Sequence, residues 1–257
     1  MTVQSEQTLR STIGGRFDAS NRLAMSERVN SLDWNELGAS LDGRGSAIAK
    51  DVLSAAECRA LATMDAKEGV FRSRVVMERH GFGRGEYRYF AYPLPPVVAA
   101  LREAFYPWLS AIANGWNERL RQPARFPATH AGFLSRCHAA GQVKPTPLLL
   151  RYGPGDYNYL HQDLYGEHVF PLQLAILLSE PGEDFSGGEF VLTEQRPRRQ
   201  TRVEVCSLRR GDAIIFAVHH RPARGTRGVY RVNLRHGVSE IRSGERHTVG
   251  IIFHDAL

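Results

Sequence analysis

The sequence predicts an α+β fold in which helices come first and a strand-rich sandwich or barrel follows. Two observations carry this. Up to about residue 146, apolar residues recur mainly at helical spacing. After Pro147, short apolar or alternating runs take over, parted by the turn clusters GPGD, EPGEDFSGG, RRGD and RSGE. No βαβ alternation and no internal repeat interrupts that order. With 257 residues, 42% of them hydrophobic, the chain can bury one large core.

The elements follow in order. Residues 1 to about 30 are polar and aperiodic and read as a loose arm. SLDWNELGASL reads as a short helix. AIAKDVLSAAECRALATM reads as a strand and then a helix, opened by Ser54 with Glu57 three residues on, the pattern of a capping box. FRSRVVMERHGFGRGEYRYFAYPLP predicts strand, glycine-rich turn, strand, with Tyr87, Tyr89 and Phe90 either half-buried in a ribbon or covering a substrate. PPVVAALREAFYPWLSAIANGWNERL predicts a helix entered through Pro95 and Pro96, its aromatic residues facing the core. Pro107 is expected to kink or split it. ATHAGFLSRCHAAG predicts a further helix ending at Gly141. Seven strand-like runs then follow from LLLRY to HTVGIIFHD.

Bulk composition narrows the function classes. No apolar run is long enough to span a bilayer, and the N-terminus lacks the apolar core of a signal peptide. The expectation is a soluble cytoplasmic protein with no membrane partner. Cys58, Cys137 and Cys206 lie too far apart for a zinc pattern, and three is an odd number for a disulfide framework. The net charge is +6, and its excess is concentrated. From Arg196 to Arg246 thirteen arginines face four acids, a local balance of +9. Such a patch attracts phosphates or acidic surfaces. Only Lys50, Lys67 and Lys144 are lysines, so a compositional preference for arginine is the competing account.

Chemistry concentrates in RYGPGDYNYLHQDLYGEHVFPLQLAILLSE. His161 and Asp163 stand two apart, after a turn and before a long apolar run. Side chains at i and i+2 of a strand share a face, so both can meet one ion if they enter a strand. An imidazole and a carboxylate suit Fe(II) or another divalent first-row metal. A third ligand must come from a later strand. His236, in YRVNLRHGVSEIRSGERHTVGIIF, is the best candidate. His219 and His220 compete, with Arg231 eleven residues after His220, but Pro222, Gly225 and Gly228 make that segment read as a loop. Arg246 follows His236 by ten residues, on the return strand of an expected hairpin. There it would lie roughly 7–10 Å along from the metal, within reach of the far carboxylate of a chelated five-carbon diacid.

Together, HQD, the distant RHGVS and an arginine ten residues beyond resemble the non-haem Fe(II) and 2-oxoglutarate-dependent dioxygenases, and among them the prolyl-4-hydroxylase-like branch. LLLRYGPGDYNYLHQD resembles that branch's strand before the metal motif. FSGGEFVL resembles a shared strand entry, and LRRGDAIIF the turn and strand before the distal histidine. The likeness covers about residues 147–254, with a looser match before. It implies a double-stranded β-helix (jelly-roll) core over 147–257, supported by helices over 31–146, in a single domain after the arm.

The resemblance also implies roles. His161, Asp163 and His236 would ligate Fe(II), and Arg246 would bind the far carboxylate of 2-oxoglutarate. Tyr152, nine residues before His161, would touch that cosubstrate. The implied reaction hydroxylates a C–H bond with O2 while 2-oxoglutarate becomes succinate and CO2. Retention of Asp163 argues for hydroxylation, or hydroxylation collapsing to demethylation, over halogenation. The expected substrate is a protein or peptide side chain. An AlkB-like oxidative demethylase of alkylated nucleic acid and a non-catalytic metal-binding β-sandwich are the alternatives. Glu167 and His168 are candidates to orient a ligand. The basic segment of His219, His220, Arg221, Arg224 and Arg227 reads either as a substrate entrance or as a surface loop.

Overall fold

A computed structural model describes residues 19–67, 69–226 and 228–257. Five helices are found among them: α1 (Ala19–Asn30), α2 (Trp34–Arg44), α3 (Ala55–Ala62), α4 (Pro96–Arg119) and α5 (His130–Ala139). The arm expected over residues 1–30 is therefore helical from Ala19 onward. Met25 and Val29, one turn apart, are buried in the common core, which fixes this segment despite its polar composition. Residues 1–18 lie outside the described residues. The capping box at α3 forms as predicted: Ser54 N–H donates to Glu57 Oε2 (2.7 Å), and Glu57 N–H donates to Ser54 Oγ.

Pro107 does not split α4. Val98, Leu101, Phe105, Leu109, Ala113 and Trp116 run along one face on both sides of the proline, and all are buried. Burial of that whole stripe outweighs the one backbone hydrogen bond that proline cannot donate.

Fifteen strands are found among the described residues. The first five are β1 (Ser46–Ala49), β2 (Phe71–Val76), β3 (Gly83–Arg84), β4 (Glu86–Phe90) and β5 (Leu148–Tyr152). Next come β6 (Tyr157–His161), β7 (Leu172–Leu177), β8 (Phe185–Gly187), β9 (Phe190–Gln195) and β10 (Arg202–Cys206). The last are β11 (Ala213–Ala217), β12 (His220–Gly225), β13 (Gly228–Val238), β14 (Ile241–Gly244) and β15 (Arg246–Ile251). One sheet has the order β1-β11-β7-β15-β5-β4-β2, the other β10-β9-β13-β6-β3 with β12 also on β13, and β14 pairs with β8. From β5 onward the chain passes repeatedly between the two sheets, the winding of a double-stranded β-helix. Their inner faces meet at Phe216, whose ring lies 4.9 Å from Phe190 and 4.5 Å from His236 across the sandwich.

Two strand readings need correction. Residues 220–225 form β12, antiparallel to β13, where a loop was expected. Proline is tolerated because β12 pairs with β13 alone and lies at an edge. β13 and β15 do not form a hairpin. β13 belongs to the six-stranded sheet and β15 to the seven-stranded one, with β14 between them. Arg246 thus approaches the site from the opposite sheet to His236.

Candidate active site

The site forms where the two sheets open at one end. β6 and β13 are neighbours, and His161 pairs directly with His236. Gly237 permits the close approach: a Cβ there would sit 2.7 Å from the Asn158 carbonyl oxygen of β6. The two imidazole rings lie 4.2 Å apart. His161 ends β6, and Asp163 follows outside it, so the motif leaves a strand where it was expected to enter one. The carboxylate still turns back to the histidines. Asp163 Oδ1 is 3.6 Å from His161 Nε2, and Oδ2 is 3.3 Å from His236 Nε2. The ligand atoms of the three residues all fall within 4.8 Å of one another.

The surroundings prepare these atoms for a cation. His161 Nδ1 is 2.7 Å from the Tyr159 carbonyl, which fixes the proton on Nδ1 and leaves the Nε2 lone pair free. Burial pushes His236 toward its neutral form, as a ligand requires, with His161 adding to the shift and Asp163 opposing it. Burial alone would raise the Asp163 pKa. The hydrogen bond and electrostatic contact with His236, the electrostatic contact with His161 and a hydrogen bond from Gln173 outweigh burial and hold it well below the usual carboxylate range. Asp163 is therefore ionised. Two imidazoles and one carboxylate on a shared focus fit Fe(II) or a similar first-row divalent ion.

Arg246 lies in the same cavity, of about 420 Å³, together with Tyr152 and Thr248. The residue is only 2% exposed, yet among the described residues no carboxylate lies within ion-pairing distance of its guanidinium. Nη1 donates to Thr248 Oγ1 (2.6 Å), Nε has no partner, and the rings of Tyr152 and Phe185 stand 5.7 and 5.9 Å away. Burial pushes the Arg246 pKa down to about 10, so the group stays charged at neutral pH. A buried, charged and unpaired guanidinium is a costly arrangement that an incoming carboxylate relieves. Gly188 makes room for it, since a Cβ there would press 2.9 Å from Arg246 Cδ. Tyr152 is paired with Arg246 across β5 and β15, and its hydroxyl accepts from Asn158 Nδ2 at 3.3 Å.

All five sequence-derived site residues thus line one cavity. Glu167 and His168 do not: the His168 backbone is held by the Gln142 amide instead. The residues that do hold Asp163 were missed. Gln173 and Tyr165 donate to it at 2.7 and 2.8 Å. Gln173 is the lone polar residue of the buried strand LQLAIL, a signal that was legible in principle. Tyr87, on a half-buried ribbon, does line the cavity.

The basic segment divides. Arg221 is buried and pairs with Glu194, which also takes Arg196, so Arg221 does not belong to a substrate entrance. Arg210 lies among Glu180, Glu183 and Asp184. Arg227 lies outside the described residues. Arg196, Arg210 and Arg221 are thus paired with acids of the same chain.

Comparison with known proteins gives the chain's family and its fold. A model of the Oxygenase-NA family, described as an oxygenase catalysing oxidative methylation of damaged DNA, matches residues 85–256. An uncharacterized protein of Mycobacterium tuberculosis is 50% identical over 167 residues, 65% of this chain and 72% of that protein. In fold, the chain is similar to a prolyl hydroxylase from Trichoplax adhaerens, solved with a hypoxia inducible factor peptide fragment. The TM-score is 0.57 at 14% identity, over 93% of this chain and 94% of the other. It is also similar to a 2OG-Fe(II) oxygenase family oxidoreductase from Burkholderia pseudomallei. There the TM-score is 0.51 at 16% identity, over 88% and 94%.

Proposed function

Because the chain belongs to the Oxygenase-NA family, and has the double-stranded β-helix fold of the 2-oxoglutarate-Fe(II) oxygenases, we propose that His161, Asp163 and His236 hold its Fe(II) and that Arg246 anchors 2-oxoglutarate. The observation that carries this reading is the unpaired guanidinium of Arg246 in the cavity of the three ligands. Tyr152 and Thr248 complete the anchor: Tyr152 supplies a phenol that burial keeps neutral, its pKa pushed up to about 12. When bound, Fe(II) with O2 and 2-oxoglutarate supplies the oxidising chemistry, which yields succinate, CO2 and a hydroxylated substrate carbon. The protein's own part is positional. Arg246 fixes one end of the diacid, His161, Asp163 and His236 would hold the iron that takes the other, and Phe190, Phe216 and Leu174 line the cavity with apolar surface.

The substrate in this reading is an N-alkylated base of DNA, the alternative weighed in the sequence against a peptide side chain. Support for a DNA substrate comes from the family description, which names damaged DNA, and support for a base in the cavity comes from its mouth. Phe82 and Tyr159 line the mouth with 48% and 56% of their surface exposed. His80 stacks on Phe82 at 5.4 Å and Tyr157 meets Tyr159 edge-on at 5.1 Å. Exposed rings beside a cavity that holds both apolar and polar side chains suit a base taken out of its stack. Hydroxylation of an N-methyl group gives a hydroxymethyl group that falls away as formaldehyde, leaving the N–H. The peptide reading rests on the shared fold alone. The three buried free thiols of the chain suit a reducing compartment, consistent with the cytoplasm.

The test supplies Fe(II), 2-oxoglutarate and O2 with N-methylated oligonucleotides in one arm and proline-containing peptides in the other. Succinate together with formaldehyde in the first arm is the expected result. Succinate with a peptide mass increase, and none with oligonucleotides, would replace the substrate assigned here.

A further inference from the structure

Each oxygen of Asp163 receives one donor that the three-ligand cluster does not itself supply. Tyr165 OH donates to Oδ1 at 2.8 Å, and Gln173 Nε2 donates to Oδ2 at 2.7 Å. The carboxylate plane is thereby fixed from both ends, which matters because Asp163 lies beyond the end of β6 and no strand ladder holds it. Gln173 Nε2 also lies 3.4 Å from His236 Nε2, so one amide faces two members of the cluster.

Gln173 carries an anomaly that a purely structural role does not explain. It is buried in β7, whose other residues are all apolar, and its Oε1 finds no hydrogen-bond partner among the described residues. A leucine or methionine there would leave no acceptor unmade. Turning the amide over would set Oε1 against the Asp163 oxygen, acceptor against acceptor, so the orphaned oxygen is the consequence of aiming Nε2 at Asp163.

We infer that Gln173 and Tyr165 are positioning residues for the metal: a two-donor clamp that sets the Asp163 carboxylate, kept by Gln173 at the expense of local stability. The inference rests on the assignment of His161, Asp163 and His236 as ligands. It goes beyond that assignment by giving two further side chains a function, and by separating that function from folding.

The test uses the full chain with Co(II), a spectroscopic stand-in for Fe(II). Gln173→Leu and Tyr165→Phe are each titrated with Co(II), the visible ligand-field spectrum is recorded, and the metal-free proteins are melted. Each variant is expected to bind Co(II) about 10- to 100-fold more weakly with an altered spectrum. Metal-free Gln173→Leu is expected to melt at or above the wild-type temperature. Gln173→Glu provides a second reading at this position: it keeps the shape but replaces the donor with a charge beside Asp163, and is expected to alter the spectrum as well. If the variants match wild type in affinity and spectrum, the clamp is overturned while the ligand assignment stands. A metal-free Gln173→Leu that melts well below wild type would make Gln173 a structural residue. If wild type itself binds no Co(II), the ligand assignment falls, and the clamp with it.

Discussion

Replacing Arg246 with methionine separates ligand binding from folding, because the structure gives this residue a cost without a partner. Burial lowers its pKa from 12.5 to about 10. At about 1.4 kcal/mol per pKa unit, keeping the charge inside costs on the order of 3 kcal/mol. The sign is that of a base whose folded pKa is depressed: the penalty is present in full below about pH 10 and fades as pH rises to the unfolded value. Methionine fills much of the same space, removes the penalty and forfeits only the bond to Thr248. The ligand-free variant is therefore expected to be as stable as wild type or more so, by up to ~3 kcal/mol in urea titration at pH 7. Binding moves the other way. Truncating one side of a buried charge pair costs about 2–5 kcal/mol, which is roughly 30-fold to several thousand-fold in affinity for 2-oxoglutarate. Anaerobic titration of the Fe(II)-loaded protein, followed by its visible charge-transfer absorption, measures this. A variant that binds 2-oxoglutarate within about threefold of wild type, or that is several kcal/mol less stable, would refute the reasoning.

Further outcomes follow from the same structure. His161→Ala and Asp163→Ala should each abolish substrate-dependent succinate formation, with metal content by elemental analysis falling in parallel. Glu194→Gln strands the buried Arg221 and should cost about 3–5 kcal/mol in urea unfolding. Breaking the exposed Arg22–Glu103 pair should cost less than about 1 kcal/mol by the same measurement. Burial pushes His130 down to about 3 from 6.5, so it stays neutral in the fold while the unfolded chain takes up a proton. Stability should therefore fall as pH drops below about 6.5, and His130→Gln, which keeps a donor for the Phe253 carbonyl, should lessen the loss by on the order of 2 kcal/mol between pH 6.5 and 5. Tyr159→Ala should weaken binding of a methylated oligonucleotide by about 1–3 kcal/mol in fluorescence anisotropy, with little change in the affinity for 2-oxoglutarate.

What the sequence made legible were local patterns. The capping box at Ser54 and Glu57, the alternation of the later strands and the His-x-Asp spacing each depend on neighbours within a few residues. The strand partners did not follow from such patterns. His236 and Arg246 looked like two sides of a hairpin because a turn separates them, whereas the short strand at 241–244 carries the chain across to the other sheet. Pro222 read as a strand breaker because nothing local says that its strand lies at an edge. The arm at 19–30 looked loose because its two core residues are outnumbered by polar ones. Arg221 shows the same limit in electrostatics: it counted toward a basic surface until Glu194, 27 residues earlier, was found against it.

The most direct measurement is the stoichiometry of anaerobic Fe(II) and 2-oxoglutarate binding to the wild-type chain, read by equilibrium dialysis alongside the visible spectrum. The account predicts one iron and one diacid per chain, with the charge-transfer absorption appearing only when both are present. Binding of 2-oxoglutarate undiminished by loss of the iron ligands and of Arg246, or no iron bound at all, would contradict it.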